Sequence, residues 1–132
     1  MEKKLKHLEF LQLAITRMNV NSFLIKGWTI TLVAALFALA AKDANINYIM
    51  ICYIAIPAFW ILDGFYIGIE RQYRELYKEV INKTEDKIDF NMDATKFNKG
   101  DSTWVSGVFS KTLLIFYGVC ASTTIIVMFL IK

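Results

Sequence analysis

Residues 22–41 and 46–69 are two hydrophobic stretches separated by only Lys42, Asp43, Ala44 and Asn45. Each is about as long as the ~20 apolar residues that a helix needs to cross a bilayer. So short a connection between two helices permits only an antiparallel hairpin. The hairpin also carries one cation and one anion, Lys26 and Asp63, inside its apolar runs.

A third apolar run, residues 105–131, contains one charge, Lys111, close to its start. The three runs occupy more than half of the 132 residues, so a soluble core does not organise this chain. The sequence predicts a single all-α membrane domain over residues 1–132. It comprises an amphipathic helix at 1–21, spans at 22–41, 46–69 and 105–131, and a helical extension and loop at 70–104.

Lysine and arginine set the orientation. All but Lys42 and Lys132 of the 15 basic residues lie before span one, at its start, or between spans two and three up to Lys111. By the positive-inside rule the N-terminus and the long loop are cytoplasmic and the C-terminus is outside. Basic residues before an apolar run ending Ala38-Leu39-Ala40 mimic a secretory signal. The leading segment is long, so an uncleaved first span is expected.

Leu5, Leu8, Leu11, Ile15 and Met18 recur at helical spacing before span one, with lysines and Gln12 on the other face. This helix lies on the membrane or packs on another helix, and Asn19 and Asn21-Ser22 offer a break where the chain enters the bilayer. Residues 70–82 continue span two with Ile69, Tyr73, Leu76, Tyr77 and Val80 on one face. The nearest partner for that face is the N-terminal helix. Ile88, Phe90 and Met92 alternate with polar residues, which fits a short strand or an extended loop, and Asp101-Ser102-Thr103 supplies helix caps for the third span. Pro57 falls inside span two, where it bends the helix or acts as a hinge.

In a tight antiparallel hairpin, paired positions sum to a nearly constant value, so Lys26 and Asp63 share a depth in the cytoplasmic third. An ionised residue within a span costs about 2.5–3.5 kcal/mol on insertion scales, so pairing or a wet cavity is expected. Either the two residues only lock the hairpin, or Asp63 lines a water-filled path or changes partner during gating, with Lys111 near the same depth.

Gly27, Thr31, Ala34, Ala35, Ala38 and Ala41 give span one a small-residue side, and Ser106, Gly107, Ser110, Gly118, Ala121 and Ser122 do the same for span three. Small residues let helices approach closely. They pack within the protomer, or they mediate self-association around an axis with Ser110, Tyr117 and Thr124 facing a narrow pore. Three spans cannot enclose an aqueous channel, so conduction would require an oligomer. The aromatic residues Tyr48, Tyr53, Trp28, Trp60, Tyr66 and Trp104 suit interfacial anchoring.

Nothing in the sequence forms a catalytic constellation or a cofactor motif. His7 stands alone on the amphipathic segment, and no cysteine–histidine spacing suits zinc. Cys52 and Cys120 sit inside spans as small apolar residues. Asp86, Asp89, Asp93 and Asp101 are interleaved with lysines as solubilising charge.

Three segments carry a family resemblance: Asn21-Ser-Phe-Leu-Ile-Lys-Gly-Trp28, Ala34-Ala-Leu-Phe-Ala-Leu-Ala-Ala-Lys-Asp43, and Phe59-Trp-Ile-Leu-Asp-Gly64 with Glu70-Arg-Gln-Tyr-Arg-Glu-Leu-Tyr77. They resemble a group of small bacterial multi-pass membrane proteins whose layout is similar to the SLATT-type pore-forming effectors of bacterial conflict systems. The resemblance implies an inner-membrane effector that oligomerises and permeabilises the membrane during phage defence. A nucleotide second messenger or a cytoplasmic sensor protein would be its trigger, with Arg71, Arg74, Lys78, Lys96 and Lys99 as the contact surface. The same charges are what the positive-inside rule requires, and no nucleic-acid polymer is expected as a partner. The alternative is a small membrane scaffold or accessory subunit that docks a cytoplasmic partner. A transporter subunit would need a second intramembrane acid or an internal repeat, and neither is visible.

Overall fold

The computed structural model describes residues 1–131. Lys132, counted above as one of two basic residues at the far end, lies outside the described residues. The elements are α1 (Glu2–Asp43), α2 (Asn47–Ile81), α3 (Trp104–Val108) and α4 (Lys111–Ile131), with short 3-10 turns at Glu85–Lys87, Thr95–Phe97 and Gly100–Ser102. The described residues contain no strand. Three helices, α1, α2 and α4, are long and apolar enough to cross a membrane.

Helix α1 is continuous over 42 residues, about 63 Å at 1.5 Å per residue. It does not break at Asn19 or Asn21-Ser22, as their composition suggests. Polar side chains interrupt a helix when they bond to their own backbone. Here Ser22 donates to Asp63, and the Asn19 amide, oriented to satisfy its partners, donates to both carboxylate oxygens of Glu70 at 2.7 and 3.1 Å. These groups are spent sideways, across the hairpin. The amphipathic segment and the first span are therefore one rod.

The hairpin turn uses Ala44 in the left-handed conformation (φ 50°), and Asn45 accepts the Asn47 N–H at 2.9 Å. Helix α2 then continues for 35 residues with Pro57 inside it. It is the central helix, packed on both α1 and α4, which touch each other only sparsely.

The third apolar run is not one helix. Thr103 caps α3 by accepting the Ser106 N–H at 3.1 Å, Phe109 leaves the helix, and the Ser110 hydroxyl accepts the Leu113 N–H at 3.4 Å at the start of α4. Backbone proximity fixes α3. A Cβ added at Gly64 would meet the Val108 Cα at 2.7 Å, one at Gly68 the Thr103 carbonyl oxygen at 2.9 Å, and one at Gly107 the Gly68 nitrogen at 3.0 Å. Gly64 and Gly68, four apart on one face of α2, form a slot that seats α3 backbone on backbone.

Two cores follow. Val33, Leu36, Cys52, Ile56, Leu113 and Tyr117 join the three long helices. Leu11, Leu76, Val80 and Ala94 join α1 to the extension of α2, with Ile88, Met92 and Phe97 packed on them. Residues 88–94 are an extended loop that covers this second core. His7 is not exposed as its isolation in sequence implies. It is fully buried, its Nε2 donates to the Asn91 carbonyl at 2.9 Å, and its ring lies 5.6 Å from that of Phe90.

Candidate functional site

Asp63 lies on the face of α2 that meets both other long helices and is completely buried. Lys26, one of the two charges carried inside the hairpin, reaches it from α1 with Nζ 2.8 Å from Oδ2. Ser22, one turn earlier on α1, donates to Oδ1, and Lys26 Nζ also donates to the Ser22 hydroxyl at 2.7 Å. From α4, the Tyr117 hydroxyl donates to Asp63 Oδ2 at 2.9 Å. One carboxylate thus ties three helices together.

This node satisfies the demand that a buried charge be paired and hydrogen-bonded. Its surroundings are aromatic: Trp60 lies parallel to Tyr117 at 5.8 Å between ring centroids, and Lys26 Nζ sits 5.9 Å from the Phe116 ring. Trp60 in turn donates its indole N–H to the Val108 carbonyl at 2.8 Å, linking the node to α3.

The pairing also fits one antiparallel register. Residues 26 and 63, 19 and 70, and 11 with 76–80 lie side by side along the hairpin. Ser22 extends this set because its side chain is one helical turn from Lys26 on the same face.

The three hydroxyl residues singled out on span three face into the protomer. Tyr117 and Thr124 are fully buried, and Ser110 is nearly so. Tyr117 binds Asp63, Thr124 donates to the Cys120 carbonyl at 2.8 Å, and Ser110 caps α4. Lys111 is exposed at the first turn of α4.

The five basic loop and extension residues do not form one surface. Arg71, Arg74 and Lys78 line a hollow of about 370 Å³ with Gln12, Glu75 and Asp101. Lys96 is held at 2.7 Å by Glu79, while Lys99 is exposed and outside that hollow. Arg74 is bound to Glu70 at 2.7 Å, and Lys78 to Glu75 at 3.2 Å. Arg71 has no carboxylate partner among the described residues. Its guanidinium donates to the Asp101 carbonyl at 2.8 Å and to the Ser106 hydroxyl at 3.3 Å.

A second cleft, of about 500 Å³, runs from Arg71 and Arg74 down to Ser22 and Lys26, with Asn19, Glu70, Ser110 and Thr112 on its walls. The cleft thus reaches the Ser22 and Lys26 side of the charge node, while Asp63 itself stays fully buried. Neither this cleft nor the Gly64–Gly68 slot emerges from the sequence reading above, although Gly-Phe-Tyr-Ile-Gly at 64–68 carries the small-residue spacing that signals such a slot.

The set suits charge stabilisation and hydrogen bonding. No known protein family, curated protein or solved structure matches this chain, so its functional reading rests on the site itself.

Proposed function

We propose that this chain is a multi-pass protein of the bacterial inner membrane that assembles into a homo-oligomer and permeabilises the membrane as an anti-phage effector. In this reading the N-terminus and residues 70–104 are cytoplasmic. The observation that carries it is the Ser22–Lys26–Asp63–Tyr117 node. Ionisable residues inside apolar helices are a functional-site hypothesis by default, ion paths among their uses, and here a cleft lined by Arg71 and Arg74 reaches Lys26 and Ser22.

Gating in this reading is a change of partner at Asp63. Its carboxylate holds α1 through Lys26 and Ser22, and α4 through Tyr117. Because α1 and α4 touch sparsely, the bonds from Asp63 to one helix can change without disturbing those to the other. Oligomerisation supplies the width that three helices lack.

A scaffold or accessory-subunit role is the second reading. The apolar face of residues 71–80 does not favour it, since Leu76 and Val80 are covered by α1 and the loop. Leu13 and Val20, exposed on the opposite side of α1, do.

The test is membrane potential and growth in bacteria expressing the wild type, Asp63→Asn and Tyr117→Phe at equal membrane level, with carbonate extraction and the size of the purified protein measured alongside. The pore reading expects a carbonate-resistant oligomer that depolarises the cells, with both substitutions altering the effect. An intact potential with a stable monomer overturns it in favour of the scaffold.

A further inference from the structure

We infer that the seam between α1 and α4 at the basic end is a binding site for one anionic glycerophospholipid. This rests on the chain lying in a bilayer and not on its forming a pore. Two adjoining spaces share Lys26 and Thr112. The first is the polar cleft of about 500 Å³ described above. The second is an apolar groove of about 560 Å³ lined by Ile30, Ile115, Phe116, Val119 and Cys120, with Lys26 and Thr112 at its mouth. A cleft edged by charged and hydroxyl side chains and adjoining an apolar groove matches a headgroup and an acyl chain.

Charge complementarity identifies the headgroup. Lys26 is matched by Asp63 and Arg74 by Glu70, which leaves Arg71 as the uncompensated cation of the cleft. A phosphodiester carries one negative charge, which balances it. Donors remain to bind it: an ammonium has three N–H groups and a guanidinium five. Lys26 uses its ammonium on Asp63 and Ser22, and Arg71 bonds through one terminal nitrogen to neutral oxygens. Thr112 adds a hydroxyl at the boundary of the two spaces. Packing of α1 on α4 is sparse, and α2 packs on both.

The experiment uses the full chain in detergent, titrated with phosphatidylglycerol and with phosphatidylcholine of identical acyl chains, and read by native mass spectrometry. Melting temperature with glycerol 3-phosphate is measured in parallel. Both lipids carry the phosphodiester, but the choline cation of phosphatidylcholine restores the excess positive charge that Arg71 leaves in the cleft, so the site predicts that phosphatidylglycerol binds about tenfold more tightly. Arg71→Gln removes that preference, Arg71→Lys retains part of it, and Val119→Trp, which fills the groove, weakens both lipids. Equal binding of the two lipids, an unchanged preference in Arg71→Gln, or equal stabilisation by glycerol 3-phosphate overturns the inference, the last result indicating a soluble-phosphate site. A lipid preference without ion conduction keeps the site and removes the pore.

Discussion

Replacing the two charges of the node separately and together tests how the bundle holds them. At 2.8 Å, unit charges attract by about 6 kcal/mol for an effective dielectric of about 20, and desolvation of both groups cancels much of that. The two ends of the pair are not equally buried: the Asp63 side chain is 0% exposed and that of Lys26 17%. Lys26→Met leaves a fully buried carboxylate with only the Ser22 and Tyr117 hydroxyls, at a cost of about 3–5 kcal/mol. Asp63→Asn leaves an ammonium that turns toward the polar cleft and keeps its Ser22 bond, so its cost is about 2–3 kcal/mol. The double variant contains no unpaired charge and falls within about 2 kcal/mol of the wild type. The coupling between the two sites is therefore several kcal/mol, and each single variant is worse than the double. Unfolding in mixed micelles, followed by the fluorescence of Trp60 stacked on Tyr117, measures all three. If Asp63→Asn is the more damaging single change, or if the double loses the sum of the two, the pair is not the buried, cleft-facing lock described here.

The glycine slot makes a sharper contrast between positions of one residue type. Gly64→Ala and Gly107→Ala force α2 and α3 backbones apart and cost about 1–3 kcal/mol each, whereas Gly27→Ala and Gly118→Ala, with nothing within 4 Å of the added methyl, stabilise their helices by about 0.5–1 kcal/mol. The same unfolding assay separates the two classes, and a uniform effect at all four would remove the slot. At the other end of α1, Glu85 accepts the N-terminal ammonium at 2.6 Å and the Lys3 and Lys4 N–H groups at 2.7 and 3.1 Å. The ammonium hydrogen bond, followed by those amides, holds its carboxyl below the usual glutamate value. A carboxyl depressed in the folded state stabilises above its unfolded pKa and loses that contribution as pH falls through the lower folded value. Amide exchange at Lys3 and Lys4 should therefore speed up beyond its intrinsic pH trend as the solution is acidified below the usual glutamate range, and Glu85→Gln should show the faster exchange already at neutral pH. Exchange that tracks the intrinsic trend in both proteins would show that Glu85 does not anchor this end.

Hydrophobic run length and connection length, both local quantities, made much of this protein legible in its sequence. Long apolar runs force internally hydrogen-bonded helices. The residues between 41 and 46 force the first two into an antiparallel register, and the register alone brings Lys26 to Asp63. The apolar positions of residues 5–18 and 69–80 likewise specify two faces that need each other, and they meet around Leu11, Leu76 and Val80.

Tertiary structure decided what depends on a third body. Asn19 and Ser22 read as breakers because an isolated helix would let them bond to their own backbone, but the acids of α2 take up those side chains and α1 stays whole. The apolar run at 105–131 keeps its hydrophobicity across the break, where Ser110 caps α4 and Gly107 of α3 sits on Gly64 and Gly68. Tyr117 joins the node, and His7 is buried under Phe90 and Asn91, through contacts more than 50 residues apart along the chain. Periodicity determines which face a residue occupies, whereas the identity of the group opposite that face is fixed only when the helices pack.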